Sequence, residues 1–186
     1  MLKEGDIMLY AGIIFIIIVG TLLHFVYELS HHNKFVGIFA AVNESTWEHI
    51  KIGMTATILW SLVDGFVYGA DENYIIAKAL SLLTIIILIP LLFYFYTAFT
   101  KKSILVVDII SFCITIICSQ LVFNHIMSLY TLPFEFRYIS GIILFFELVA
   151  YIFLTYNPLK NFIFKDPITK KYGVKGHSHN HDHDHK

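Results

Sequence analysis

Charge is what this chain is short of. Asp, Glu, Lys and Arg supply 15% of its 186 residues, where soluble domains carry about 25%. Hydrophobic residues make up 57% and mean hydropathy is +0.70, which excludes an ordinary soluble globule and places the chain in a bilayer. An excess of either sign is missing too: the formal net charge is −1, so there is no basic footprint for nucleic acid. Cysteine is scarce. Cys113 and Cys118 lie five residues apart in one apolar run, a helical spacing that turns them away from each other and excludes a disulfide between them. No A-x-A-like cleavage site follows the first apolar run, 7–23, which is also longer than a signal-peptide core, so it is expected to stay as a membrane helix. H-E-x-x-H, paired C-x-x-C and internal repeats are absent as well.

What the chain does have is five apolar segments, at about 7–29, 48–69, 74–99, 103–126 and 137–156. Crossing about 30 Å of hydrocarbon takes roughly 20 residues of helix, and in lipid only a helix satisfies every backbone group of a lone segment. The expected fold is therefore an all-α polytopic membrane bundle of five transmembrane helices. A short apolar piece, 34–42, precedes the second helix; it cannot cross and is expected to lie at the interface or re-enter the bundle. Pro90 should be tolerated inside the third helix. The chain divides into a bundle (1–160), a cytoplasmic juxtamembrane segment (161–175) and a His-rich tail (176–186), too polar to fold alone. Lys34, Lys101, Lys102, Lys160, Lys165, Lys170, Lys171 and Lys175 fall on one side of the membrane. Asp71, Glu72 and Glu135 fall on the other, where Lys3 and Arg137 are the only basic residues. The positive-inside rule then puts the N-terminus outside and the C-terminus in the cytoplasm of a cell-membrane protein.

The polar residues concentrate in Val42-Asn-Glu-Ser-Thr-Trp-Glu-His-Ile50. Ser45-Thr-Trp-Glu48 fits a capping box, Ser45 accepting from the Glu48 N–H and Glu48 reaching back to the Ser45 N–H. Trp47 suits the headgroup belt. The cap leaves Asn43, Glu44 and His49 unexplained. Asn43-Glu-Ser45 is also a glycosylation sequon, unused on a cytoplasmic face.

His24 and Glu28, four apart, share a helix face where they can hold a proton or a cation, or simply bond to each other. Asp108, Ser111, Thr115, Cys118, Ser119 and His125 form a stripe on the fourth helix. Thr57, Ser61, Asp64 and Tyr68 do so on the second, and Ser140, Glu147 and Tyr151 on the fifth. A charged carboxylate at mid-membrane costs at least about 2.5 kcal/mol, so Glu147 is expected to be neutral, paired or beside a polar cavity. Three polar stripes suggest a hydrated or ion-accommodating interior. The plain alternative is interhelical hydrogen bonding, worth about 0.6 kcal/mol per contact; it suits Ser and Thr better than Asp108 or Glu147. On the predicted orientation His24, Glu28, Asn43, Glu44, Glu48, His49 and Asp108 gather toward the cytoplasm, Asp64 and His125 toward the outside. Two imidazoles among carboxylates suit Zn²⁺, Mn²⁺ or Fe²⁺, and equally suit proton transfer. His177, His179, His181, His183 and His185 alternate with Ser, Asn and Asp in the tail, a pattern that can wrap a divalent transition-metal ion.

The run His24-Phe-Val-Tyr-Glu28, the segment Val42 to His49, and Lys165-Asp-Pro-Ile-Thr-Lys-Lys-Tyr-Gly173 together resemble an uncharacterised family of small multi-pass bacterial membrane proteins. The resemblance spans about residues 8–175. It implies the same bundle, with His24, Glu28, Asn43, Glu44, Trp47, Glu48 and His49 as signature residues, and no assigned activity. Asn43, Glu44, Trp47 and His49 are also similar to the Asn-Glu…Trp-x-His segment of the progestin and adipoQ receptor family. That family's zinc site uses Ser-x3-His, Asp and His-x3-His on seven helices, against the five expected here.

The leading expectation is a non-enzymatic membrane protein that binds or moves a divalent transition metal, with zinc or a similar ion as cofactor or cargo. His24, Glu28 and His49 would ligate in the bundle, Asp108 and Glu147 would continue the path, and the tail would collect ions. An intramembrane metal-dependent hydrolase of lipid or amide, with Glu44 or Glu48 as base, is the alternative; a scaffold or accessory subunit is the third. Expected partners are the bilayer, the metal ion, and a second copy or a membrane protein, since five helices are few for a complete transporter.

Overall fold

A computed structural model describes residues 4–173. Its helices are α1 (Glu4–Leu29), α2 (Thr46–Tyr68), α3 (Tyr74–Thr100), α4 (Leu105–Met127) and α5 (Phe134–Tyr156). The shortest have 23 residues, about 35 Å at 1.5 Å per residue. All five are long and apolar enough to cross a membrane. Among the described residues the only β pairing is an isolated bridge between Lys165 and Tyr172. The bundle expected from the apolar runs is the fold observed.

One revision is at α5, which starts at Phe134 where a loop to Arg137 was expected. Pro133 occupies its N-cap and Glu135 its first turn, a charge that suits the positive end of a helix dipole. Arg137 instead reaches across to Glu72, 2.7 Å away. Beside this pair, Asn73 Nδ2 donates to the Leu129 carbonyl (3.2 Å) and Asn73 Oδ1 accepts from Leu132 N (3.0 Å). These bonds tie the α2–α3 and α4–α5 turns together.

α3 packs against α2, α4 and α5, and α1 packs against α2 and α4. Ile16, Ile52, Met54, Ile85, Phe112 and Ile116 belong to the shared apolar core. Glycine permits close approaches within the bundle. A Cβ at Gly20 would lie 2.6 Å from Phe112 Cζ, and one at Gly53 would lie 3.1 Å from Ile85 Cγ2.

The short apolar piece before α2 folds into a single 3-10 turn, Val36–Ile38, set against α1 and α5. Its carbonyls receive bonds from the bundle: Lys51 Nζ to Gly37 (2.7 Å), Tyr151 OH to Ile38 (2.8 Å) and Thr55 Oγ1 to Phe39 (3.1 Å). Residues 159–173 close over the same end. Trp47 N donates to the Ile163 carbonyl (3.0 Å), and Phe164 stacks on the Trp47 ring at 4.9 Å. Trp47 is thus buried at the end of the bundle. Asn43 Nδ2 donates to the Gly173 carbonyl at 2.9 Å.

Candidate metal centre

α1 finishes and α2 begins at this capped end, so the connection between them brings residues near 24 and 49 to one level. His24 Nε2 lies 3.2 Å from Glu44 Oε1, and the His24 and His49 ring centroids are 5.6 Å apart. One donor atom from each of His24, Glu44 and His49 falls within 4.8 Å of the other two, the one such trio among the described residues. His49 Nδ1 is 3.0 Å from the Ser45 carbonyl. A carbonyl only accepts, so in this bond Nδ1 carries the proton. Metal-ligating histidines are oriented in the same way. His24 and Glu44 are 22% and 41% exposed, so the trio opens on one side.

The neighbours of the trio depart from the expected capping box. Ser45 is the N-cap of α2 but its side chain makes no capping bond. Asn43 Oδ1 takes the Ser45 N–H instead (2.8 Å). Glu48 has turned away to accept from Val42 N (2.9 Å) and to pair with Lys51. A buried carboxylate gains more from a full positive charge than from one backbone N–H. Glu28, expected as a ligand on the α1 face, is exposed and outside the trio; Glu44 from the loop takes its place beside His24.

Asp108 accepts from the hydroxyls of Tyr96 (2.5 Å) and Ser103 (2.7 Å). With His49 and Thr46 it lines a slot of about 20 Å³, room for roughly one water. Beyond that slot Ile85, Phe112 and Ile116 crowd around Gly53. Several hydroxyls of the polar stripes are held by bonds between or within helices. Ser81 and Ser119 hydroxyls lie 2.8 Å apart, and Thr57 and Ser61 bond to carbonyls of their own helix. Ser140, Glu147 and Tyr151 are the buried residues of α5. Tyr151 anchors the 3-10 turn, while among the described residues neither Glu147 oxygen has a hydrogen-bond partner.

At the far end Asp64 accepts from Tyr74 OH (2.8 Å) and pairs with Lys78 at 2.7 Å. Lys78 Nζ also sits 4.4 Å from the Phe123 ring centroid. Asp64, Trp60 and Gln120 line a cavity of about 230 Å³ there. His125 is exposed. Lys51 and Lys78 were missed in the sequence reading; a lysine inside an apolar span, three residues after a glutamate in one case, was the available signal. His177, His179, His181, His183 and His185 lie outside the described residues.

Five membrane-length helices with imidazoles and carboxylates gathered at one end define a polytopic membrane protein with a polar terminal site. The chain belongs to a family of unknown function, DUF6512, whose model matches residues 2–174. No curated protein and no solved structure matches it.

Proposed function

We propose that this chain binds a divalent transition-metal ion, zinc or a similar one, at His24, Glu44 and His49 near the cytoplasmic face. The supporting observation is the convergence of two imidazoles and a carboxylate within 4.8 Å. Two donors on a tetrahedral ion with bonds of about 2.0–2.1 Å lie about 3.3 Å apart, close to the 3.2 Å between His24 Nε2 and Glu44 Oε1. The basic loops and juxtamembrane lysines support a cytoplasmic location for this end, where the histidine-rich tail collects ions. Asp108 extends the site through the shared slot. Movement of the ion toward Glu147 or Asp64 requires the apolar layer around Gly53 to open, in a dimer or with a partner helix. The hydrolase reading loses support because Glu48, one of its two candidate bases, is committed to Lys51 and the Val42 N–H.

The test is zinc binding by the untagged full-length chain in nanodiscs, measured by chelator competition. His24→Ala and His49→Ala should each weaken the tightest site at least tenfold with the fold intact by circular dichroism. Equal affinity in all three proteins would confine metal binding to the tail and end this reading.

A further inference from the structure

The cavity at the opposite end of the bundle has the walls of a second ligand site. Asp64 follows His49 on α2 by fifteen residues, about 22 Å of helix, so this cavity is separate from the His24 trio. Its volume of about 230 Å³ admits several waters but falls below the roughly 300–1,000 Å³ of pockets for drug-sized molecules. Its occupant is therefore small. Trp60, Tyr68 and Phe123 line it with Asp64 and Asp71, the two charged lining residues among those described. Lys78 offsets Asp64 at 2.7 Å, which leaves the carboxylates with a surplus of negative charge. Asp64 is buried and Asp71 exposed, so that charge reaches from the interior to the surface.

Aromatic faces beside carboxylates suit an organic ammonium ion, because the rings attract a cation and the acids supply the opposite charge. A metal ion fits less well. The one trio of His, Cys, Asp or Glu donors among the described residues is His24, Glu44 and His49 at the other end. Gln120 adds a second requirement. It lines the same cavity, is 2% exposed, and its Nε2 has no acceptor among the described residues. Buried amide donors in folded proteins are paired with protein or a bound group, so an occupant with an oxygen acceptor completes this one. Gly12 lets α1 close over the amide: a Cβ there would lie 2.8 Å from Trp60 Nε1 and 3.1 Å from Gln120 Oε1.

We propose that this cavity binds a small hydroxylated ammonium ion of ethanolamine or choline size. The ammonium sits among the carboxylates and rings, and the oxygen accepts from Gln120. The same chemistry recognises a free amine and the amine of a lipid headgroup. The site stands independently of the metal reading.

Isothermal titration of the full-length chain in phosphatidylglycerol nanodiscs tests it, with ethanolamine, choline, tetramethylammonium and glycerol as probes and empty discs as the blank. Ethanolamine and choline should bind saturably and glycerol should not. Asp71→Asn keeps an oxygen for the Asn73 N–H that Asp71 accepts at 2.7 Å, and should weaken both amines at least about tenfold. Gln120→Met should weaken choline about fivefold and leave tetramethylammonium, which has no oxygen, unchanged. Nanodiscs containing phosphatidylethanolamine decide the source: lost ethanolamine binding there assigns the cavity to the headgroup, and unchanged binding assigns it to the free amine. The proposal is overturned by an absence of saturable binding in phosphatidylglycerol, by glycerol binding as tightly as the amines, or by parental choline affinity in either variant. Equal losses of choline and tetramethylammonium in Gln120→Met overturn it as well.

Discussion

Lys51 is 0% exposed, yet it lies in a helix that crosses the apolar layer. It is tolerated there because its ammonium meets the Glu48 carboxylate and the Gly37 carbonyl. Breaking such a pair from one side costs about 3–5 kcal/mol, because a charge is left buried without a partner. Lys51→Met should therefore lower stability by about that amount in denaturant unfolding of the detergent-solubilised protein. Adding Glu48→Gln to it should restore part of the loss, since the orphaned charge is gone. A neutral single substitution would contradict the pairing. At this scale the sequence revealed which residues are exceptional but not whom they meet. Asn43, Glu44, Glu48 and His49 stood out in an apolar chain. That Asn43 would hold Ser45 and Gly173, and that Glu48 would prefer Lys51, depends on contacts up to 130 residues apart.

The helices themselves were legible because lipid permits little else to a lone apolar segment of 20 residues. Their contacts were not, and glycine marks where they occur. A Cβ on Gly53 meets Ile85 at 3.1 Å and Phe112 at 3.4 Å, whereas one on Gly141 meets nothing within 4 Å. Gly53→Leu should thus overpack the α2–α3–α4 junction and cost about 1–3 kcal/mol. Gly141→Ala should be neutral or gain up to ~1 kcal/mol from helix propensity. Thermal unfolding of both variants in one detergent checks the contrast; equal losses would place the tight junction elsewhere. The start of α5 was misjudged because Arg137 reads as a loop residue until Glu72 is brought beside it by the neighbouring turn.

The whole molecule keeps its basic loops and its His/Glu cluster at one end, and its acidic turn and Asp64–Lys78 pair at the other. If the basic end is cytoplasmic, Asp71→Cys should react with an impermeant maleimide in intact cells, and Lys102→Cys only after the membrane is opened. Both would be made with Cys113 and Cys118 replaced by Ala. The reverse pattern would invert the topology and put the tail outside. Hydropathy alone determined that this chain makes five helices and where they start and stop to within about three residues, because burial in lipid is a local property of each segment. Tertiary structure alone decided that Glu44 rather than Glu28 joins His24, that the 3-10 turn rests on Lys51 and Tyr151, and that Gly173 returns to Asn43. Those choices are made between segments far apart in sequence, where the low dielectric makes each buried charge and each carbonyl take the best partner the packing brings within reach.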